Sequence, residues 1–499
     1  MKKIYLAHPL LFSIAPALFL WSYNFAEVFL REIFVTLLLL LVLGAIIAGA
    51  CQILFRNWHK SALLASLFII LTFAYQHIFF SSSFSLLFFR HRYVLLFIAT
   101  VVIVAAYVLK KQRNDLSAVN KFFTVVSSVF IILSLVQLGL HNLPDFKDST
   151  SRVVTTSVAE VAQAQRDIYY ILLDSYSAPD VLTGVFGLEK ETEDSFVHYL
   201  EKQGFVLAQN SRSPYPQTVF TLSAVLNMRY HGVGAQERKI LVDMLENHFV
   251  KDFLKARGYR YIHIGGDWVT YFNRYADENI NFGLFSPYQK AVWEATAFAP
   301  LEMYFGSLHF FGGRFGFLDG RLTQYKRVQF ELEALSNIPA KKEPTFVFAH
   351  ILVPHVPYVF DAEGEYITKE EEESVDPLDL YLGQVQYINK QIEKVVKDIL
   401  ENSETEPIIV IQGDHGHQIS KKSIERLSLT SQEEKEISFR IFNAYYFPNG
   451  GGVTIDQSIN SINTFPLLFN YYFNQNFNLL KDESYDIEPP DSENLIRFR

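Results

Sequence analysis

Five apolar stretches occupy the first 140 residues, at 4–23, 33–55, 61–80, 93–109 and 121–140, each near the ~20 residues a helix needs to cross a hydrocarbon core. Lipid offers no partner to a bare peptide group, so stretches of this length fold as helices that satisfy their own N–H and C=O groups. A transmembrane domain of five helices over residues 1–140 is therefore expected. It accounts for a hydrophobic content of 49% and an aromatic content of 15% in a chain of 499 residues, richer than one soluble globule requires. A cleaved signal peptide would explain the first stretch alone. Four further spans, and no small-residue cleavage pattern after the first, predict a retained helix.

Lys and Arg in the short loops set the orientation. With all five spans crossing, Lys2, Lys3, Arg56, Lys60, Lys110, Lys111, Arg113 and Lys121 share one side, against Arg31, Arg90 and Arg92 on the other. The basic side is predicted to be cytoplasmic, with the N-terminus inside and everything after Leu140 outside. The net negative charge falls in that exported half, whose Glu370 to Glu373 cluster reads as a solvated loop. The only cysteine, Cys51, lies in the second span, so the exported half has no disulfide and depends on a large core.

Residues 141–166 carry Asp145, Lys147, Asp148 and a Ser/Thr run and read as a linker, with helical character near 158–164. From 167 to 499 the pattern is α/β. Strands are expected at 168–173, 260–264, 345–351 and 407–411, between helices near 192–203, 236–257, 322–336 and 379–401, with a later strand at 440–447 and a helix at 460–473. Short, continuously apolar strands alternating with amphipathic helices predict a mostly parallel sheet with helices on both faces. Ligands gather at the C-terminal strand ends of such sheets. Asp174, His263, His355 and the Asp414–His415 pair all follow strands at that edge. No nucleotide-binding glycine loop is present, and no nucleic-acid partner is expected.

The Gly413–Asp414–His415–Gly416 tetrad rides on the apolar run Ile408 to Ile411. Two glycines permit close backbone approach around two metal-ligating side chains; an Asp capping a turn beside a hydrogen-bonded His is the plainer reading of the pair. Asp174 ends a similar run, and alone it equally suits a strand-end cap. Thr218 lies in a hydroxyl-rich loop, where either it or Thr221 would cap the helix expected from Leu222. Carboxylate, hydroxyl, carboxylate and imidazole together suit a hard divalent cation beside a nucleophile. A helix N-terminus also favours phosphate, so capping and nucleophilic roles are compatible.

With Trp268 to Arg274 and His350 to Pro357, these residues resemble the sulfatase-fold branch of the alkaline phosphatase superfamily. The chain is most similar to membrane-embedded lipoteichoic acid synthases and phosphoethanolamine or phosphoglycerol transferases, which also carry five N-terminal helices. The resemblance implies that Asp174, Thr218, Asp414 and His415 hold one divalent metal ion, with Mn, Mg and Zn all open. It implies that Thr218 is a nucleophile forming a phospho-threonine, resolved by a second alcohol or by water. It makes Arg274, in Tyr271–Phe272–Asn273–Arg274, a phosphate clamp, against a surface ion pair. His355 becomes a catalytic group at the leaving oxygen, against a satisfied core histidine. Asn273 and His417 join Arg274 as substrate contacts, although His417 falls either near the metal or in solvent. His350 is expected to be structural.

Departures narrow the class. No Cys/Ser-X-Pro-X-Arg pattern exists for conversion to formylglycine, which disfavours sulfate ester hydrolysis. Asp379 is followed four places on by Gly383 rather than His, so one metal is expected instead of two. Asp174 stands where the synthases often carry Glu. The expectation is an enzyme of the cell envelope, in the inner or plasma membrane with its catalytic domain extracytoplasmic, that moves a phospho-alcohol group from a membrane lipid to a glycan or lipid acceptor. A phosphodiesterase or phosphatase and a non-catalytic binding protein are the alternatives.

Overall fold

A computed structural model describes residues 6–25, 28, 30–77, 91–141, 166–234, 237–266, 268–283, 285–300, 320–340, 343–448, 454–487 and 495–498. The expected linker, 141–166, and Arg90 lie almost wholly outside the described residues. By its contacts the chain divides into two compact units, Met1–Ser151 with Leu284–Asp319, and Arg152–Gly283 with Gly320–Arg499. The catalytic domain expected to run unbroken from 167 is thus interrupted. A segment from its middle packs with the N-terminal helices.

In the first unit the five apolar stretches become five helices, α1 (His8–Tyr23), α2 (Leu30–Phe55), α3 (Trp58–Phe73), α4 (His91–Lys111) and α5 (Ser117–His141). Three of them, α2, α4 and α5, are long and apolar enough to cross a membrane. Their outward faces are bare hydrocarbon, with Leu38, Ile46, Ile103 and Leu133 more than half exposed. At 16 residues each, α1 and α3 span about 24 Å, short of a ~30 Å core. Five crossings are therefore an expectation beyond the three that length supports.

The helices alternate in direction. At one end Lys60 Nζ donates to Lys110 O at 3.3 Å, joining the start of α3 to the end of α4. Nearby, Ser66 Oγ meets His8 Nδ1 at 2.6 Å, His8 Nε2–H donates to Asn120 Oδ1 at 2.9 Å, and Asn120 Nδ2 donates to His59 O at 3.3 Å, tying α1, α3 and α5. This end carries the basic loops. Satisfied polar bridges of this kind hold helices together where hydrophobic contrast is weak.

The second unit is built on a seven-stranded sheet of order β2-β7-β6-β1-β5-β3-β4, with β1 at Ile168–Leu173, β2 at Val206–Leu207, β3 at Arg260–Ile264, β4 at Glu278–Ile280, β5 at Thr345–Ile351, β6 at Ile408–Gly413 and β7 at Asn443–Tyr446. From β6 through β1, β5 and β3 to β4 every pairing is parallel, while β7 pairs antiparallel with both β6 and β2. The sheet is therefore mixed, with a parallel centre as expected and an antiparallel edge at β7 and β2.

Every residue of β1 is buried. Alternation divides its side chains between two cores. Tyr169, Ile171 and Leu173 pack with the helices Lys190–Lys202, Gly320–Asn337 and Pro377–Asn402. Ile168, Tyr170 and Leu172 pack with Thr218–Val225, Arg238–Glu246, Phe249–Lys255 and Thr464–Tyr472. The helix expected over 236–257 is two helices, because His248 breaks it and caps the second by accepting from Lys251 N at 3.1 Å. The acidic cluster expected as loop is the short exposed helix Lys369–Ser374, closed by a Thr368–Glu371 capping box.

Candidate active site

Strand β1 lies between β5 and β6, and its last residue, Leu173, pairs with Ile351 on one side and Gly413 on the other. The strands end level, so Asp174 and Asp414 emerge side by side at the C-terminal edge. Ser175 adopts a left-handed φ of 67°, a conformation costly for a residue with a side chain and tolerated where surroundings fix it. Its N–H then reaches Asp414 Oδ1 at 3.0 Å, which also accepts from His415 N at 2.9 Å. Gly413 and Gly416 are required here. A Cβ on the first would strike the Tyr176 carbonyl, and one on the second the Ile437 carbonyl.

His415 Nδ1–H donates to Gly416 O at 2.8 Å, which fixes the tautomer and leaves the Nε2 lone pair facing the strand ends. That Nε2 stands 3.7 Å from Asp174 Oδ1, 3.6 Å from Asp414 Oδ2 and 3.4 Å from Thr218 Oγ1. Both carboxylate oxygens are buried without a hydrogen-bond partner. Two buried carboxylates with open oxygens turned to one point repel unless a cation joins them. Ligands around a tetrahedral ion with ~2.0–2.2 Å bonds lie about 3.3–3.6 Å apart, so the set fits one divalent metal. Asp174, Asp414 and His415 form a buried metal-competent cluster, their ligand atoms within 4.8 Å of one another.

Thr218 opens the helix Thr218–Val225, whose N-cap, Gln217, makes no side-chain cap bond. Thr218 therefore does not serve as the cap, and Thr221 Oγ turns back to Tyr215 O at 2.8 Å. The first-turn amides of that helix are the usual unpaired donors, carrying the positive end of its dipole.

Histidines surround the cluster with distinct duties. His350 Nε2 stands 3.2 Å from Asp174 Oδ2, and its Nδ1 is 2.7 Å from Thr270 Oγ1. Residue His350 pairs with Leu172, two before Asp174, so both side chains share a face. Burial pushes the Asp174 carboxyl up, but the His355, His350 and His415 charges outweigh it and hold it well below the usual carboxylate range. Burial pulls His415 down, and Asp414, Asp174 and the Gly416 carbonyl raise it above its ordinary value. His355 is half-buried, its Nδ1–H donating to Val356 O at 2.6 Å, which leaves Nε2 as its reactive nitrogen.

His417 is not in solvent. It stacks on Tyr381 at 3.8 Å and meets Phe186 edge-on, its backbone N–H donating to Ser177 Oγ at 2.9 Å. Burial, then the His355 and His415 charges, push it down to about 3, so it stays neutral. Asn273 is enclosed in its own turn, donating to Glu246 O and accepting from Tyr275 N. Arg274 Nε donates to Glu246 Oε2 at 2.6 Å, with a side chain 43% exposed. Both follow β3, two strands from β1. His263 supports that loop from below, donating to Thr270 O at 2.6 Å, and burial pulls it down to about 4.

The mixed sheet and the buried metal-competent cluster at its strand ends fit the class of enzyme that the family comparison gives. The chain belongs to the sulfatase family, whose model matches residues 166–495, and is an enzyme of the alkaline phosphatase superfamily. No curated protein matches it. Among solved structures, the C-terminal periplasmic domain of EcEptC from Escherichia coli is 13% identical, with 68% of this chain and 94% of that one covered and a TM-score of 0.41. The corresponding domain of the phosphoethanolamine transferase EptC from Campylobacter jejuni is 12% identical, over 64% and 94%, with a TM-score of 0.39. The integral membrane lipooligosaccharide phosphoethanolamine transferase A (EptA) from Neisseria meningitidis is 13% identical over 93% and 94%, with a TM-score of 0.37.

Proposed function

We propose that this enzyme transfers a phospho-alcohol group, of phosphoglycerol or phosphoethanolamine type, from a membrane lipid to an extracytoplasmic glycan or lipid through phospho-Thr218. The observation that carries the reading is the convergence of Thr218 Oγ1, His415 Nε2 and the unpartnered Asp174 and Asp414 oxygens at one point. Asp174, Thr218, Asp414 and His415 would hold one divalent ion. When bound, that ion lowers the pKa of a coordinated hydroxyl and neutralises phosphate oxygens.

The chain's own groups supply the rest. Thr218 Oγ, its hydroxyl proton released to water, attacks phosphorus as the bond to the diacylglycerol oxygen breaks, and that oxygen takes the Nε2 proton of His355, which enters the step as the imidazolium with Nδ1–H still on Val356 O. The N-terminal amides of Thr218–Val225 meet the developing charge on the phosphoryl oxygens. Gly416 O holds the His415 proton on Nδ1 and so turns Nε2 to the site, and Ser175 N holds one Asp414 oxygen so that the other stays available. Arg274 is the phosphate contact once its Glu246 partner is exchanged for substrate. Asn273 and His417 act by shaping the site walls, since their polar groups are occupied or stacked.

A lipid donor explains the apolar helices, and the alternation of those helices supports a multi-pass membrane protein with the catalytic unit on the less basic, extracytoplasmic side. The test is purified protein in vesicles carrying headgroup-labelled phosphatidylglycerol or phosphatidylethanolamine. Metal-dependent release of diacylglycerol, abolished in Thr218→Ala, is expected. Turnover of neither lipid alongside cleavage of soluble phosphate esters would favour the hydrolase instead.

A further inference from the structure

The geometry points to a second membrane anchor, carried within the sequence of the catalytic half: residues Ser286–Ala299 dock into the rim of the helix bundle and hold that half at the bilayer independently of the linker 141–166. The element is locally encoded. Ser286 and Gln289 form a capping box around Pro287 at the first position, starting the helix Pro287–Glu294. Its inner face is apolar. Tyr288 and Val292 are 2% and 6% exposed and pack with Ala17, Val28, Ile33 and Leu40 of α1, α2 and the turn between them, while Ala297 packs with Tyr75, Val94 and Ile98.

Three hydrogen bonds fix its depth. Tyr288 OH donates to Ala17 O at 2.8 Å, six residues before the end of α1 and so about 9 Å below it. Ala297 N donates at 2.9 Å to Thr72 O, in the last turn of α3, which has no helical N–H of its own. In return Gln76 Nε2 donates at 2.8 Å to Glu294 O, the last carbonyl of the inserted helix. Each chain end satisfies the other's orphan group, and such bonds matter most where water is scarce. Phe298 stacks on Trp293 and meets Phe68 of α3, aromatic company typical of a membrane interface. The docking end is opposite the basic loops. The sequence that follows, 300–318, is rich in phenylalanine, with Glu302 and Arg314 as its only charged residues.

An interface of this kind persists when the linker is cut. A specific protease site placed in 141–166 of the full-length protein, cleavage in membranes and a high-salt wash give the readout, which does not depend on catalysis. The catalytic half is expected to stay in the pellet, and Tyr288→Asp with Val292→Asp to release it into the supernatant with an unchanged melting temperature for its soluble part. Release of the wild-type half on cutting would overturn the proposal, as would retention of the doubly substituted half.

Discussion

At the scale of single residues, the site is a matter of which atoms are left over. Asp414 spends one oxygen on Ser175 N and His415 N and keeps the other; His415 spends Nδ1 on a carbonyl and keeps Nε2. Removing either side chain would take away a proposed ligand, so Asp414→Ala or His415→Ala is expected to empty the purified protein of metal by elemental analysis, and wild-type occupancy in either would remove it from the ligand set. His350 acts one step further out, against the second oxygen of Asp174. Removing a group that orients a ligand weakens metal binding by about 10–100-fold. His350→Ala should show that loss in a chelator competition, and His350→Gln part of the recovery; unchanged affinity would return His350 to a packing role.

Glu193 supplies a pH test remote from the metal. Its carboxyl is buried, with one oxygen unpartnered and the other 3.4 Å from Asn389 Nδ2. Burial is the main cause that pushes it up to about 7 from its ordinary 4.5. An acid raised in the folded state contributes its full stability below the unfolded pKa and loses it as pH rises through the folded one, here from about 4.5 to 7. Glu193→Gln should therefore be more stable than wild type at alkaline pH, by about 3 kcal/mol, with the gain vanishing toward pH 4.5. A gain that grew on acidification would contradict the assignment.

At the scale of elements, legibility in the sequence followed burial. Strands β1, β3, β5 and β6 announce themselves because burial on both faces forces continuous apolar runs. The two-residue β2 and three-residue β4 are too short to carry a period. The Asp414–His415 pair was legible because glycines flank it, whereas the position of His350 beside Asp174 depends on the register of β1 with β5, which no local pattern encodes. The burial of His417 was hidden for the same reason, since Tyr381 and Phe186 come from distant helices and loops. The turn after β6 tolerates little. Gly416→Ala would press a methyl group against the Ile437 and Arg440 carbonyls, backbone atoms that cannot swing aside. A loss of about 1–3 kcal/mol in stability, with weakened metal binding, is the expected outcome; a variant with native melting and native metal content would show the turn to be softer than its geometry indicates.

At the scale of the whole molecule, what the sequence could not disclose was that the described residues 285–300 pack with the N-terminal helices. Their apolar side chains look like ordinary core until the neighbours are known. Helix count was also only partly legible, because composition marks an apolar stretch while crossing depends on a length that α1 and α3 fall short of. A periplasm-active reporter fused after Leu140 should be active, and activity confined to a cytoplasmic reporter would invert the proposed topology. Whether Thr218 is the nucleophile is decided by mass spectrometry of the Thr218 peptide from protein quenched during turnover in lipid vesicles. A covalent adduct is expected on Thr218, with the mass of the donor's phospho-alcohol headgroup, and absent from Asp414→Ala protein. An unmodified Thr218 in protein that is turning over lipid, or an adduct on another side chain, would contradict it.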